Sequence, residues 1–548
     1  MKTLATLATA AAAAFAVLAS DAETVKMNKG ENWWGVANQF GRQMPFNAKS
    51  GISVDLRKSN YSNQCASFLV SDQGRVIWTD AQAGFEIANG EIRVESASPV
   101  VVENGGATLA EAFRHASAKH FPAKGRHPPE LFFTSPQYNT WIELTFHQNQ
   151  KDVLAYADDL LAHGFPAGVL MIDDTWQAGY GDWRFEPSRF PDPKGMVDAL
   201  HEKGFKVMLW MCPYVGMDLP AYRRIAWGQN PDNVRGWPTR GGFLACRDRS
   251  VKDHGVPKPQ ACDWWNGVSA FLDFSHPNAN AWFKETLDSL VSDFNVDGFK
   301  LDGADLAAYD LSKCSAEDPA ATSGSLNNGY AAYALKYPYS ELRNCFRFQE
   351  EPVVMRLHDK MHEWAALPRI IADMIGAGLM GYPFICPDMV GGGDWVAFIP
   401  GSPFEQELFV RSAQIHALCP MMQLSASPKR VLDERHLAAV KKAVSVRQAH
   451  VPYIMECVRN AAKTGEPILR NLEYNYPGMG YAEVRDEFLM GTDLLVAPQT
   501  AKGAAEREVI VPPGVWKSDE GEIVNGPAKI TVRTPLDRLP YFEAVRRN

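Results

Sequence analysis

The sequence predicts an α/β protein with a central (β/α)8 TIM barrel, an N-terminal β-sandwich and a C-terminal β domain. Two observations carry this prediction. From about residue 125, short apolar strand-like runs alternate with helical stretches, and β-prone runs separated by polar turns precede and follow that region. At 548 residues the chain is long enough for several domains, one of which can be a large barrel.

The N-terminal segment, residues 1–22, is typical of a secretory signal. It has one lysine, then an apolar alanine-rich run, then small residues around Ser20 and Ala22. The alternative is a membrane anchor, but the apolar run is shorter than the ~20 residues that a membrane span needs. We therefore exclude this segment from the fold and expect an exported protein, periplasmic or extracellular, with no membrane span after the signal is removed.

The flanking β domains are predicted at residues 23–124 and 452–548. The first contains the runs GISVDLR, GRVIWTD and GFEIANGEIRVES, and the second contains DLLVAPQT, REVIVPPGVW and AKITVRT. Each run is rich in β-branched or aromatic residues and ends at a polar or glycine-containing turn. These patterns predict a β-sandwich before the barrel and a β domain after it.

The barrel is predicted at residues 125–451, because this region contains eight candidate parallel strands with helical stretches such as QKDVLAYADDLLAHG between them. The candidate strands are LFFTS (131–135), VLMID (169–173), KVMLWM (206–211), AFLDF (270–274), GFKLD (298–302), PVVMR (352–356), YPFIC (382–386) and PMMQLS (420–425).

Charge and cysteine content exclude several function classes. The chain has 55 basic and 64 acidic residues, a formal charge of −9, and no basic run that would follow a phosphate backbone, so nucleic acid is not an expected partner. Nine cysteines occur without a C-x-x-C pair, which indicates neither a zinc site nor a dense disulfide framework. Cys246 and Cys262 bracket a polar loop, and a bridge between them is possible in an exported protein.

Carboxylates follow several of the candidate strands. Asp173 and Asp174 follow VLMI, Asp302 and Asp305 follow GFKL, Asp359 follows VVMRLH, and Asp388 follows YPFICP. One such ending is typical of helix capping. Several together indicate chemistry, because the active site of a barrel lies at the carboxyl ends of its strands.

Convergent carboxylates allow two chemistries: they can hold a divalent metal, or they can divide into a nucleophile and a general acid for glycoside cleavage. The chain has no His-x-His and no His-Glu-x-x-His motif, which weakens the case for zinc. Trp141, Trp176 and Trp210 at strand ends are suited to stacking on sugar rings. These residues favour glycoside chemistry, and we expect no metal and no cofactor.

The motifs DGFKLDGAD, VVMRLHDKMHEW and GYPFICPDMVGGG, in this order between two β domains, resemble glycoside hydrolase family 31. The similarity is greatest to its branch with the myogenesis-regulating glycosidase and bacterial α-galactosidases. It covers nearly the whole chain after the signal. The resemblance implies a retaining exo-α-glycosidase that acts on an oligosaccharide or glycoconjugate.

The resemblance also implies roles for individual residues. Asp302 matches the catalytic nucleophile and Asp359 the catalytic general acid/base. The remaining matched or neighbouring positions are expected to bind substrate, and they are Asp173, Asp174, Trp176, Trp210, Lys300, Arg356 and Asp388.

Two features indicate the identity of the sugar: one difference from the family's α-glucosidases and one resemblance to α-galactosidases. Family α-glucosidases have a histidine after the last barrel strand, whereas this chain has MMQLSASP, with Gln423 and Ser425. The run IDDTW resembles the Asp-Asp-x-Trp run of α-galactosidases, in which the paired aspartates hold O4 and O6. We therefore expect an α-galactosidase; the alternatives are an α-glucosidase or α-xylosidase of the same family, or a non-catalytic carbohydrate-binding relative.

Overall fold

The computed structural model describes residues 21–59, 61–227, 244–253, 256–312 and 314–545. The predicted signal therefore falls almost entirely outside the described residues. Asp21 and Ala22, its last two residues, begin the first strand, Asp21–Lys26.

Two antiparallel sheets form the N-terminal part of the chain. One contains, in spatial order, Asp21–Lys26, Glu91–Ser96, Ala83–Ala88 and Gly51–Asp55, and the other contains Trp33–Ala37, Gln64–Ser71, Arg75–Trp78 and Val101–Asn104. The helix Leu109–His120 follows, and Thr108 caps its N-terminus by accepting a hydrogen bond from Glu111 N–H.

Eight parallel strands form the barrel sheet. We label them β1 to β8 in chain order: β1 Gln137–Asn139, β2 Val169–Ile172, β3 Lys206–Met211, β4 Gly298–Leu301, β5 Glu341–Leu342, β6 Val354–Arg356, β7 Ile385–Cys386 and β8 Gln423–Leu424. Each pairs with its neighbour, β8 pairs with β1, and a parallel bridge between Met389 and Gln423 joins the β7 segment to β8. The sheet is thus joined around the ring, and the predicted fold class is confirmed.

Helices connect the barrel strands. The longer ones are Gln150–Ala162, Pro193–Glu202, Pro277–Phe294, Ser323–Ala331, Ala366–Leu379, Gln406–Ala417 and, after β8, Glu434–Thr464. Shorter helical turns lie at Asn38–Gln43, Leu131–Thr134, Trp141–Leu144, Pro220–Trp227, Leu306–Tyr309, Ala332–Leu335, Trp395–Phe398, Pro428–Val431 and Leu472–Asn475.

Two of the predicted barrel strands were wrong. Leu131–Thr134 is a short helix, and the first barrel strand is β1, which begins at Gln137. The run at 270–274 belongs to Gly267–Phe271, which pairs antiparallel with Tyr214–Gly216 in an insertion between β3 and β4. The fifth strand is instead β5, whose two residues, Glu341 and Leu342, give too short an apolar run to detect by periodicity.

Two β-hairpins and a small sheet extend the connections on either side of β3. Gln177–Gly179 pairs with Asp182–Phe185 between β2 and β3, and Cys246–Asp253 pairs with Val256–Pro259 between β3 and β4. Cys262–Trp264 adds a strand to Gly267–Phe271. The predicted partner of Cys262, the side chain of Cys246, lies outside the described side chains, so the bridge stays a prediction.

The C-terminal sheet has six strands: in spatial order they are Leu469–Arg470, Phe488–Met490, Leu494–Val496, Tyr541–Ala544, Glu506–Ser518 and Ile523–Arg533. The last barrel helix runs to Thr464, so the change to β-structure comes at Leu469 and not directly after residue 451 as the pattern suggested. No helix in the described ranges is long and apolar enough to cross a membrane.

Candidate active site

A cavity of about 430 Å3 opens at the carboxyl ends of the barrel strands. Charged side chains form its deep part, where Asp173, Asp174, Lys300 and Asp302 are only 2–6% exposed. The complete lining is Trp141, Phe146, Asp173, Asp174, Trp210, Trp265, Asn266, Lys300, Asp302, Arg343, Asp359, Met389 and Trp395. Six of the nine predicted site residues are therefore brought together here, and Trp176, Arg356 and Asp388 lie behind the cavity surface.

Asp302, the predicted nucleophile, follows β4 directly and is fixed by hydrogen bonds to both carboxylate oxygens. Trp210 Nε1–H donates to Oδ2 at 2.9 Å, and Arg343 Nη1 donates to Oδ1 at 3.0 Å. The chain then turns sharply through Gly303, with φ at 71°, where a Cβ would lie 2.8 Å from the Tyr214 ring. Glycine at 303 thus satisfies both the left-handed backbone and the close packing that place Asp302 at the cavity surface.

Lys300 reaches the same cavity from within β4, two residues before Asp302. Its Nζ lies 2.7 Å from Asp173 Oδ2, in an ion pair whose side chains are 5% and 3% exposed. Gly298, two residues earlier, leaves no room for a side chain, because a Cβ there would lie 1.5 Å from the Tyr339 carbonyl oxygen. Close contact between β4 and the residues before β5 thus aligns the lysine with the carboxylate of the β2 turn.

The charges around Asp302 keep it ionised. Burial acts to raise the pKa of Asp302, but Arg343, Lys300 and Arg356 act more strongly in the other direction, helped by the Trp210 hydrogen bond. The net result is a pKa well below the usual range of an aspartate. A carboxylate that is ionised at neutral pH and held at the cavity surface has the properties of a nucleophile.

Asp359, the predicted general acid/base, also lines the cavity, with its side chain 45% exposed. Arg356 Nη1 donates to Asp359 Oδ1 at 2.5 Å and to Asp388 Oδ1 at 3.2 Å. Asp388 also accepts the backbone N–H of Lys360 at 2.7 Å. Arg356 and Asp388 are at most 1% exposed, so in this structure they position Asp359 and do not form the cavity surface as predicted.

Asp359 and Asp388 share one guanidinium, and their pKa values move apart. Burial raises the pKa of Asp388 to about 7, and the charge of Asp359 adds to this effect. Desolvation also acts to raise the pKa of Asp359, but Arg356, Arg343 and Lys300 act more strongly, so its pKa is lowered. Of the two carboxyl groups, Asp388 is therefore the more readily protonated, and the neighbouring cations favour the ionised form of Asp359.

Asp173 and Asp174 both face the cavity because β2 ends at Ile172 and the chain turns at once. Thr175 has φ at 73°, a strained conformation for a β-branched residue, and such strain is concentrated at functional sites. Both aspartates thus reach the cavity from a turn, and their predicted contact with the sugar stays a prediction.

Four donors hydrogen-bond to the Asp174 carboxylate: Thr175 N–H, Gln177 Nε2, Asn266 Nδ2 and the Tyr180 hydroxyl, whose single proton lies within reach of both oxygens. Its acceptor positions are thus occupied by protein groups before any sugar enters. Asp174 organises Tyr180 and Asn266, and a sugar hydroxyl must replace one of these donors to contact it directly.

Two predicted aromatic contacts have different outcomes. Trp210 lines the cavity and bonds Asp302. Trp176 is fully buried, stacks near Trp183 and Phe185, and donates its Nε1–H to the Trp210 carbonyl oxygen at 2.8 Å. The prediction that Trp176 forms a wall of the sugar pocket was wrong, because the turn after Asp174 directs it into the core, where it supports the backbone of Trp210.

Comparison with protein-family models finds the glycosyl hydrolases family 31 TIM-barrel domain at residues 132–457 and the glycosyl hydrolase family 31 C-terminal domain at residues 465–545. The first of these matches alone covers more than half of the chain. The chain belongs to glycoside hydrolase family 31.

This family 31 member has curated relatives with several sugar specificities. It is 30% identical to the myogenesis-regulating glycosidase of Mus musculus over 80% of this chain and 60% of the relative. It is 23% identical to an α-xylosidase of Emericella nidulans over 86% of this chain and 60% of the relative. The chain thus spans about 60% of the length of these relatives, and the first of them agrees with the branch predicted from the motifs.

Solved structures show the same fold. A family 31 α-xylosidase from a soil metagenome, complexed with xylose, has a TM-score of 0.78 at 22% identity and covers 95% of this chain and 79% of that chain. A family 31 dextranase of Flavobacterium johnsoniae, complexed with glucose, has a TM-score of 0.77 at 18% identity and covers 95% of this chain and 66% of that chain.

Several cavity residues of this family 31 member were not predicted from the sequence. Arg343 follows the two-residue β5, Trp265 and Asn266 lie in the insertion between β3 and β4, and Phe146 and Trp395 lie in connections after β1 and β7. Loop positions have no hydrophobic period, so only the folded chain places them around the strand-end carboxylates.

Gln423 and Ser425, which stand near the histidine position of family α-glucosidases, bond within the barrel. Gln423 Nε2 donates to Gln137 Oε1 at 2.9 Å and to Glu341 Oε2 at 3.2 Å, and Ser425 Oγ accepts from Ile142 N–H at 2.8 Å. Neither residue lines the cavity. Both are therefore parts of the barrel core beneath the site.

Glu341 on β5 gives a testable pH dependence. It is fully buried, with Arg356 Nε 3.3 Å away, yet burial raises its pKa from 4.5 to about 7 because Arg356 and Lys300 compensate only in part. A carboxyl group with a raised folded-state pKa binds a proton more tightly in the folded than in the unfolded state, so its stabilisation is complete below pH 4.5 and is lost as pH rises through 7.

We therefore expect the melting temperature to fall between pH 5 and pH 8, and to fall less steeply in Glu341→Gln. Asp388 acts in the same direction, with a pKa of about 7, so some slope remains in the variant. Differential scanning calorimetry at several pH values measures both slopes. The exposed Glu506→Gln is the matched control, and equal slopes in the wild type and Glu341→Gln would refute this account.

Proposed function

We propose that this protein is an exported, retaining exo-α-glycosidase that removes terminal α-linked galactose by double displacement. The observation that carries the proposal is the pair of carboxylates, in different surroundings, that line one cavity. Asp302 is buried, ionised and fixed by Trp210 and Arg343, whereas the Asp359 side chain is 45% exposed and is bonded by Arg356.

In the first step Asp302 attacks the anomeric carbon and forms a glycosyl ester, while Asp359, which takes up a proton when the substrate binds, gives that proton to the departing oxygen. In the second step Asp359 takes a proton from water, which attacks the anomeric carbon and releases Asp302. Two displacements at one carbon retain its configuration. Arg356, which contacts both Asp359 and Asp388, lies where it can stabilise either ionisation state of the pair.

The polar groups at the deep end of the cavity support the proposal that the sugar is galactose. Galactose and glucose differ in the direction of O4, so the pocket that selects galactose must place acceptors on the axial side. We assign this role to the buried carboxylates of Asp173, paired with Lys300, and of Asp174, which holds Tyr180 and Asn266. A sugar hydroxyl that replaces one of these donors keeps the carboxylate paired, and a sugar whose hydroxyl displaces the donor without replacing its hydrogen bond is rejected strongly.

We expect kcat/KM for α-galactosides to exceed that for α-glucosides by at least ~10²-fold. The measurement is a screen of the 4-nitrophenyl α-galactoside, α-glucoside, α-xyloside and N-acetyl-α-galactosaminide. Preference for the xyloside would match the specificity that the name of the Emericella nidulans relative carries, and preference for the glucoside would indicate an α-glucosidase. Turnover of none of the glycosides would favour a binding protein.

Asp174→Asn is expected to reduce the galactoside preference mainly by loss of galactoside activity, because an amide in place of the carboxylate sets a donor against the Tyr180 and Asn266 donors. Asp305→Asn is the matched control. Asp305 also follows β4 and is bonded by Ser62 and Asn344, but it does not line the cavity. A full preference in Asp174→Asn would show that specificity is determined elsewhere.

Export is proposed from the pattern of residues 1–22 alone. Fractionation of expressing cells, with N-terminal sequencing of the mature protein, tests it. A full-length protein that stays in the cytoplasm would refute this part of the proposal and leave the catalytic part intact.

A further inference from the structure

The outer part of the cavity is aromatic. Trp141, Phe146 and Trp395 line one side, with Phe146 in edge-to-face contact with Trp141 at 5.4 Å and with Trp395 at 5.7 Å between ring centroids. We call these three residues the aromatic wall. Phe146 is 44% exposed, which is high for a phenylalanine whose ring already contacts two tryptophans. Contiguous exposed aromatic surface at a pocket mouth is typical of a binding surface.

The aromatic wall adjoins the predicted acid/base and not the nucleophile. Gly393 connects them: its carbonyl oxygen accepts from Trp141 Nε1 at 3.1 Å, and its N–H donates to the Lys360 carbonyl oxygen at 3.0 Å. A Cβ on Gly393 would lie 2.8 Å from Asp359 Cβ. Trp395 follows Gly393 by two residues, so the turn after β7 carries Trp395, bonds Trp141 and packs against Asp359.

The other exposed ring, Trp265, belongs to the nucleophile side. The Arg343 guanidinium lies 5.6 Å from its ring centroid and donates to Asp302 at 3.0 Å. Trp265 in turn packs on Trp264, which stacks on Tyr214 at 4.2 Å. The two aromatic surfaces thus flank different catalytic carboxylates.

This arrangement defines where the leaving group lies. The general acid must reach the glycosidic oxygen, so the group attached to that oxygen passes beside Asp359 and therefore beside the aromatic wall. The wall presents carbon surface, and the Trp141 N–H is already bonded to Gly393. A sugar can also stack on these rings, but the described lining beside the wall offers its hydroxyls no polar side chain other than Asp359, whereas a flat apolar group needs none.

We propose that the aromatic wall is the leaving-group subsite and that the substrate is an α-galactoside with an uncharged aromatic aglycone, recognised by stacking on Phe146 and Trp395. The inference rests on the proposed function and adds the chemical class of the aglycone to it.

The test compares 2-phenylethyl α-galactoside with methyl α-galactoside. Both release an alkoxide of similar leaving ability, so a difference in kcat/KM reports binding of the aromatic ring. The wild type is expected to prefer the phenylethyl compound by ~10-fold or more, as stacking on two rings allows. The double variant Phe146→Ala with Trp395→Ala is expected to bring this ratio to near 1.

Val396→Ala is the matched control, because Val396 is 51% exposed, follows Trp395 directly and does not line the cavity. It is expected to retain the ratio. A wild-type ratio near 1, or a ratio that survives in the double variant, would overturn the inference. So would a higher kcat/KM for an α-galactosyl-glucose disaccharide than for the phenylethyl compound, because the wall would then be a sugar subsite.

α-Galactosyl fluoride separates this inference from the proposed function. Its leaving group is a single atom that cannot contact the aromatic wall, so its hydrolysis depends on the deep cavity alone. Failure to hydrolyse the fluoride would refute the galactosidase proposal itself. Hydrolysis of the fluoride together with an unchanged ratio in the double variant would refute only the aglycone assignment.

Discussion

Asp302→Ala is expected to lower kcat/KM for 4-nitrophenyl α-galactoside by ~10⁴-fold or more, because the variant has no group that can form the covalent intermediate. Stopped assays with the purified variant measure the loss. The structure makes this a specific expectation, since both Asp302 oxygens are oriented by Trp210 and Arg343 and its pKa is held well below the usual range.

Removal of Asp302 also takes away the acceptor of the hydrogen bonds from Arg343 and from the Trp210 N–H, so folding must be controlled. The melting temperature and circular dichroism of Asp302→Asn, which retains the shape of the side chain, provide that control. Addition of azide to Asp302→Ala with α-galactosyl fluoride should yield β-galactosyl azide, because the small anion enters from the face that the carboxylate occupied. An α-configured product would contradict the assignment of this face to Asp302.

Asp359→Ala is expected to show a strong dependence on the leaving group. Alkyl α-galactosides need a proton on the departing oxygen, so their kcat/KM should fall by ~10³-fold or more, whereas 2,4-dinitrophenyl α-galactoside needs little protonation and should lose far less in its first step. Burst kinetics separate the two steps. Equal losses on both substrates would contradict the acid/base role.

Asp388→Asn separates the contribution of Asp388 from that of Asp359. Asp388 is fully buried, shares Arg356 with Asp359 and accepts the Lys360 N–H. An amide there removes the carboxyl group whose pKa is about 7. The variant should therefore alter the basic limb of the pH–rate profile more than the leaving-group dependence, which remains a property of Asp359.

Sequence alone located the strand-end carboxylates, because a barrel brings the carboxyl ends of its strands together wherever the chain places them. Asp173, Asp174, Lys300, Asp302 and Asp359 all line one cavity, as the order of the motifs implied. The sequence did not predict which side chains at a turn face the cavity. Trp176 follows Asp174 by two residues, yet it lies in the core because Thr175 adopts a left-handed backbone.

The fold was also predictable only in part, because some strands leave a pattern in the sequence and others do not. Long apolar runs such as β3 are visible by pattern, whereas β5 has two residues, one of them the buried Glu341. A polar residue in a two-residue strand gives no periodicity, and its place is determined by pairing with β4 and β6. Of the aromatic wall only Trp141 was apparent from the sequence, since Phe146 and Trp395 lie in loops after β1 and β7 that only the closed barrel brings together.

The most direct test of the account is to trap the intermediate. The wild type is incubated with 5-fluoro-α-galactosyl fluoride, and intact mass spectrometry followed by peptide mapping identifies the labelled residue. We expect one fluorogalactosyl group per chain, attached to Asp302 in the wild type and absent from Asp302→Ala. Labelling of Asp359 or of any other residue, or turnover of the galactoside with inversion at the anomeric carbon, would contradict it.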